Sequence, residues 1–120
     1  MLSEKRMQRN RKWLEEERDR LEGELSYTAA AMDERERPGY GTHMADNATE
    51  VFEQAKNLAV HQRLRYTLSL IKKALEKMDK GTYGICEQCG EPIDPARLKA
   101  LPYATLCMYC QARAEMRSSR

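Results

Sequence analysis

Two Cys-x-x-Cys pairs constrain this chain more than anything else in it. Cys86 and Cys89 form the first pair, 17 residues from Gly90 to Leu106 follow, and Cys107 and Cys110 form the second. That spacing is the one expected of a four-thiolate zinc site. Two residues between thiolates let one tight turn aim both sulfurs at one ion, and two such turns complete a tetrahedron. Gly90 suits the turn after the first pair, where backbone amides crowd a thiolate and positive φ is needed. No coordination position remains for water. The single zinc ion is therefore expected to make the fold and to catalyse nothing.

Other uses of the cysteines fit less well. A disulfide framework belongs to exported chains, and the stretch from Met1 to Arg6 is charged within four residues, with no secretory apolar segment. A thioredoxin-like pair would need one Cys-x-x-Cys at a helix start in a βαβ pattern, which the chain does not offer. Zinc-binding thiols without an export signal point to the cytoplasm. Redox sensing through these thiols remains a secondary property to consider.

Charged residues make up 33% of the 120 residues and aromatics 7%. That leaves little material for a thick core, so long helices attached to a metal-stapled module are expected, giving a mainly α fold. The net charge of +2 is too small to mark a nucleic-acid binder by itself. No apolar run approaches the roughly 18 residues of a membrane span.

The segment from about residue 3 to residue 33 is dense in Glu, Arg, Lys, Leu and Ala, and Met7, Leu14, Leu21, Leu25 and Met32 form a thin apolar seam. Pro38, Gly39 and Gly41 then mark a loop, expected over residues 34–45. A second helix is expected from 46 to 79, capped by Asp46 or Asn47, with Asn47 and Glu50 at capping-box spacing. Leu64, Leu68, Ile71, Leu75 and Met78 repeat at 4, 3, 4, 3, and Val51, Ala55 and Leu58 are expected to extend that stripe. His61 beside it reads as an interface histidine, because no second ligand recurs at helical spacing.

Two thinly apolar helices joined by one loop should fold back as an antiparallel coiled-coil hairpin over residues 1–80, with a zinc domain over 81–120. A turn near Gly39 would place Met7 beside Ile71 and Leu14 beside Leu64. It would also set the acids of Glu15 to Glu24 against the basic run from Lys56 to Lys73. Gly81 ends the second helix. Asp94 and Pro95 start a short helix over residues 96–101, and a terminal helix is expected over 111–117.

The residues Tyr83-Gly84-Ile85-Cys86-Glu87, Cys89-Gly90-Glu91, Ile93, Arg97-Leu98, Ala100, Pro102 and Leu106-Cys107 with Cys110 together resemble the zinc finger of the DksA/TraR family. The likeness continues upstream through the hairpin, roughly from Leu14 to Arg117. It implies a bacterial transcription regulator that binds RNA polymerase directly and inserts the hairpin tip into the secondary channel, without a DNA site of its own. In several members the response is coupled to ppGpp, which makes ppGpp at the polymerase interface a candidate partner here. The best-studied branch carries Asp-x-x-Asp-x-Ala at the tip. Asp46 and Ala48 match its second Asp and its Ala, while His43 stands where the first Asp would be. The tip, with His43, Asp46, Asn47 and Ala48 as its partner-binding residues, looks more like the YteA-like branch. The plain alternative for Asp46 is a helix cap, worth roughly 0.5 to 2 kcal/mol.

Three function classes are open to a chain of this kind. An interaction protein acting on polymerase follows from the resemblance. A zinc module binding DNA or RNA directly would use Arg97, Lys99, Arg113, Arg117 and Arg120 on phosphates, and would show a steep salt dependence. An enzyme finds no support, because no nucleophile is paired with a base and no loop is built to cradle phosphate.

Overall fold

Ser3 starts the first helix. Its Oγ accepts from the backbone N–H of Arg6 at 3.3 Å and its carbonyl from Met7 at 2.9 Å, which satisfies two of the free amides at a helix start. In a computed structural model of the protein, residues 2–35 and 44–118 are described, apart from the side chains of residues 28–35 and 44–47. Four helices appear among them: α1 (Glu4–Arg35), α2 (Met44–Lys80), α3 (Pro95–Ala100) and α4 (Met108–Ser118). The described residues contain no strand, and one isolated bridge pairs Ile85 with Pro92. The mainly helical fold with its zinc finger agrees with the sequence. No helix among the described residues is long and apolar enough to cross a membrane.

The ends of α2 are instructive. It starts at Met44, two residues earlier than expected, so neither Asp46 nor Asn47 is its cap and both fall inside the first turns. At the other end Gly81 adopts φ +75°. Thr82 donates to the carbonyl of Lys77 at 2.9 Å, and Gly81 to that of Met78 at 3.3 Å. This is the left-handed glycine stop that satisfies the last carbonyls of a helix.

The chain forms two compact units, one made of Met1–Arg18 with Ser69–Arg120, the other of Asp19–Leu68. In the first, Leu14, Ile71 and Leu98 are almost wholly buried, joined by Ala74, Leu75, Tyr83 and Ile93. Arg11 reaches Asp79 at 2.7 Å, whereas a turn centred at Gly39 would have put it beside Thr67. The pairing at this end is thus displaced by about three helical turns from the expected one. The charges follow suit: Glu15 pairs with Arg11 inside α1, while Lys73 and Lys77 turn to Glu87.

In the second unit, the buried apolar side chains among the described residues are Leu21 and Leu68. Val51, Ala55 and Leu58, expected in the seam, are exposed instead. The phase explains it. Counting back from Leu64 in steps of three, four, four and three gives His61, Asn57, Glu53 and Glu50, all half-buried, whereas Leu58 sits six residues from Leu64 and misses that face. The seam here is polar, and His61 Nδ1 and Glu50 Oε1 are buried without a hydrogen-bond partner.

Candidate metal centre

The first cysteine pair sits on a tight reversal. Ile93 donates to the carbonyl of Gly84 at 2.7 Å, Cys86 to that of Glu91 at 2.9 Å, and Gly90 to that of Cys86 at 3.0 Å. Gly84 (φ +85°) and Gly90 (φ +76°) both occupy the left-handed region that glycine enters without steric cost. At Gly84 there is a second reason, since a Cβ would lie 3.4 Å from Leu98 Cδ1.

The second pair is built on a helix start. The helix α4 begins at Met108, three residues earlier than expected, so Cys110 lies in its first turn. Gln111 donates to the carbonyl of Cys107 at 2.9 Å and Cys110 directs its N–H to Cys107 Sγ at 3.4 Å. A helix start presents unpaired amides, and Cys107 Sγ accepts one of them. The two turns are tied to each other where Glu87 donates to the carbonyl of Thr105 at 2.9 Å. Arg97 fixes the approach to Cys107 by donating from Nε to the carbonyl of Leu106 at 3.0 Å. Asp94 starts the helix that carries this arginine, its Oδ1 accepting from Ala96 at 2.8 Å.

These turns bring Cys86, Cys89, Cys107 and Cys110 together with all four sulfurs within 4.8 Å of one another. Cys89 Sγ and Cys107 Sγ are 3.8 Å apart, which is about the edge of a tetrahedron whose metal–sulfur bonds are ~2.3 Å. All four are free thiols, and 3.8 Å is far beyond a bonded pair at about 2.05 Å. Cys86 and Cys110 are buried, Cys107 is half-buried and Cys89 is exposed. Burial pushes the Cys86 thiol up, but the backbone amides of Cys107, Cys89 and Gln88 outweigh it and bring it to about 6. Burial and the three neighbouring thiols push Cys110 up to about 12. Four sulfurs at this separation cannot all ionise on their own; a divalent cation removes that conflict. The donor set and spacing fit one zinc ion.

The site is seated on the long helices by groups that the spacing of the cysteines does not announce. Glu87, inside the first pair, meets Lys77 at 2.5 Å and Lys73 at 3.0 Å. Lys77 first and then Lys73 hold its carboxyl below the usual range. Asn10 is 4% exposed and directs Nδ2 to the Tyr83 hydroxyl at 3.1 Å and to the carbonyl of Leu98 at 3.4 Å. Asn10 was missed as a structural residue, although it lies three positions after Met7 and four before Leu14, in phase with the seam. Trp13 stacks with Tyr103, ring centroids 6.3 Å apart.

The four residues expected at the tip are placed unevenly. His43 lies outside the described residues. Asp46 and Asn47 belong to the first turns of α2, with side chains outside the description, and Ala48 is exposed on the same helix.

Residues 81–115 match the family described as prokaryotic dksA/traR C4-type zinc finger. The chain is 31% identical over 119 residues to the RNA polymerase-binding transcription factor DksA of Escherichia coli K12, covering 99% of this chain and 78% of that one. General stress protein 16O of Bacillus subtilis is 40% identical over 77 residues, covering 64% of this chain and 47% of that protein. DksA of Caulobacter vibrioides is 42% identical over 74 residues, covering 62% and 52%. The matched stretch thus spans about half the length of these last two relatives. Among solved structures, transcription factor DksA2 from Pseudomonas aeruginosa superposes with a TM-score of 0.80 at 30% identity, over 98% of this chain and 89% of that one.

Proposed function

This chain belongs to the DksA/TraR family, and from that membership we propose that it binds RNA polymerase directly and adjusts transcription initiation. The observation that carries the proposal is the match along nearly the whole chain to a factor whose name states polymerase binding. In this reading residues 1–80 are a coiled-coil prong and residues 81–120 a zinc-clamped base. The end of the prong enters the secondary channel, and His43, Asp46, Asn47 and Ala48 are its working residues. The action is steric and electrostatic: Asp46 brings a carboxylate toward the active centre, and His43 leaves this tip one carboxylate short of the best-studied pattern. ppGpp acts, where it does, at the polymerase interface. Zinc supplies rigidity to the base and takes no part in chemistry.

The test is retention of the zinc-loaded chain on immobilised, purified RNA polymerase, compared with a variant lacking Pro38 to Ala48. The wild type should be retained, and the deletion should bind without changing transcript yield. Failure of the wild type to be retained would remove the proposal.

A further inference from the structure

The helix α4 carries Tyr109, Arg113 and Arg117 at every fourth position, on one face. Arg113 lies over the Tyr109 ring, its Cζ 5.6 Å from the centroid. Among the described residues neither arginine has a carboxylate partner. Like charges four residues apart weaken a helix, so the pair does not serve the stability of α4. Beside it opens a hollow of about 140 Å³, lined by this face together with Cys89 and Cys110, and no described carboxylate borders it. That volume is below the roughly 300 Å³ at which pockets for cofactor-sized ligands begin. Whatever enters is small. At its wall stands Cys89, the one exposed cysteine, whereas Cys86 and Cys110 are buried.

We infer that this hollow is the route by which the metal is exchanged, independently of what the hairpin binds, and that it takes a small carboxylate-bearing zinc ligand, drawn in by Arg113 and Arg117 and presented to the metal at Cys89. Charge decides the class of ligand. Four thiolates around one divalent ion leave two negative charges, which repel an anion approaching from any other side. At the hollow two guanidinium groups oppose that repulsion, and their forked N–H donors match a carboxylate. Burial decides the point of exchange. Cys89 can swing into solvent, whereas Cys86 and Cys110 cannot leave without opening the turns that bury them. The bond from Cys89 Sγ to the ion breaks as a carboxylate oxygen of the entering ligand bonds in its place, and the freed thiolate takes a proton from solvent. Repetition at the other three sulfurs hands the ion over, and the reverse order loads the site.

The experiment uses the full zinc-loaded chain, mixed with nitrilotriacetate in one arm and with neutral phenanthroline in the other. Zinc remaining on the protein is counted by elemental analysis after rapid gel filtration. Loss to nitrilotriacetate should speed up with its concentration. Arg113→Gln with Arg117→Gln should slow that loss about tenfold and leave loss to phenanthroline unchanged. Arg113→Lys with Arg117→Lys keeps the charge and should restore most of the rate. Both side chains are exposed, so the variants should start with one zinc per chain and wild-type circular dichroism. Faster loss to both chelators from the glutamine variant would show that the arginines only neutralise the thiolates, and would overturn the inference. A rate that does not depend on nitrilotriacetate concentration would overturn it too, as would a glutamine variant that exchanges like wild type or fails to hold zinc at the outset.

Discussion

Asn10 and Tyr83 stand 73 positions apart in the chain and are joined by a hydrogen bond of 3.1 Å from Asn10 Nδ2 to the tyrosine hydroxyl, which in turn donates to the carbonyl of Pro102 at 2.7 Å. Both residues are buried. The first helix, the stop after the second and the loop after α3 therefore meet in one polar chain. Cutting it leaves buried groups without partners, which costs more than the bonds themselves contribute. Asn10→Ala and Tyr83→Phe should each destabilise the zinc-loaded protein by about 1 to 3 kcal/mol. A double-mutant cycle should return a coupling of about 0.5 to 2 kcal/mol. Chemical denaturation measures both quantities, and strictly additive losses would show that the two residues act independently.

Burial raises the ionisation of Tyr83 above that of a free tyrosine, with Asn10 opposing in part. A group whose folded pKa is raised contributes stability that is complete below its unfolded pKa and is lost as pH rises through the folded one. The wild type should thus lose stability in the alkaline range above about pH 10, and Tyr83→Phe should lose less there. Ultraviolet titration of the tyrosines, with and without Tyr83, would resolve the late-ionising group.

Two glycines should respond to alanine with opposite signs. Gly84→Ala forces a side chain into a left-handed backbone and against Leu98, at a cost of about 1 to 3 kcal/mol. Gly23 lies in α1 with nothing within 4 Å of an added Cβ, so Gly23→Ala should stabilise by about 1 kcal/mol. Thermal melts of the two variants against wild type would settle both signs.

Removal of the metal should act on the base before the helices. Cys107→Ser or Cys110→Ser should abolish binding of one zinc per chain, read by elemental analysis. Free energies for structural zinc run at about 10 to 16 kcal/mol in small fingers, more than the base can replace from its own core. Loss of near-ultraviolet signal with most far-ultraviolet helicity retained is the expected outcome. Full zinc content in Cys110→Ser would show that this thiolate is not a ligand.

The polar seam gives a gain-of-stability prediction. His61 Nδ1 is buried and unbonded, so His61→Leu should remove an unmet hydrogen-bonding group and add apolar contact, stabilising by about 1 to 2 kcal/mol. Equal or lower stability on denaturation would mean that His61 contributes a contact the leucine cannot replace.

The metal centre was legible because thiolate spacing is a local property: two residues between ligands fix a turn whatever surrounds it. The long helices were legible from composition, and the stripe from Leu64 to Met78 from its period. What escaped was set by distance or by phase. Nothing near Asn10 in sequence announces Tyr83 as its partner. The displaced pairing of Arg11 with Asp79 depends on how the base packs, which the position of the loop glycines does not encode. Val51, Ala55 and Leu58 misled because apolar residues at helical spacing say that a face exists and not which neighbour it meets. The start of α4 was missed since Met108 and Tyr109 carry no capping signal, and Cys107 takes the place that Ser or Asp would ordinarily hold.

The polar seam has a consequence for how the molecule breathes. Each long helix runs without interruption from a segment anchored by Leu14, Ile71 and Leu75 into one held, among the described residues, by Leu21 and Leu68. Amide protons along a single helix should therefore exchange with solvent at widely different rates. Those near Ser69 to Met78 should wait for global unfolding, while those near Val51 to Val60 escape through local opening that leaves the base closed. Local opening from Val51 to Val60 would expose few buried side chains, while opening from Ser69 to Met78 would uncover Ile71, Ala74 and Leu75.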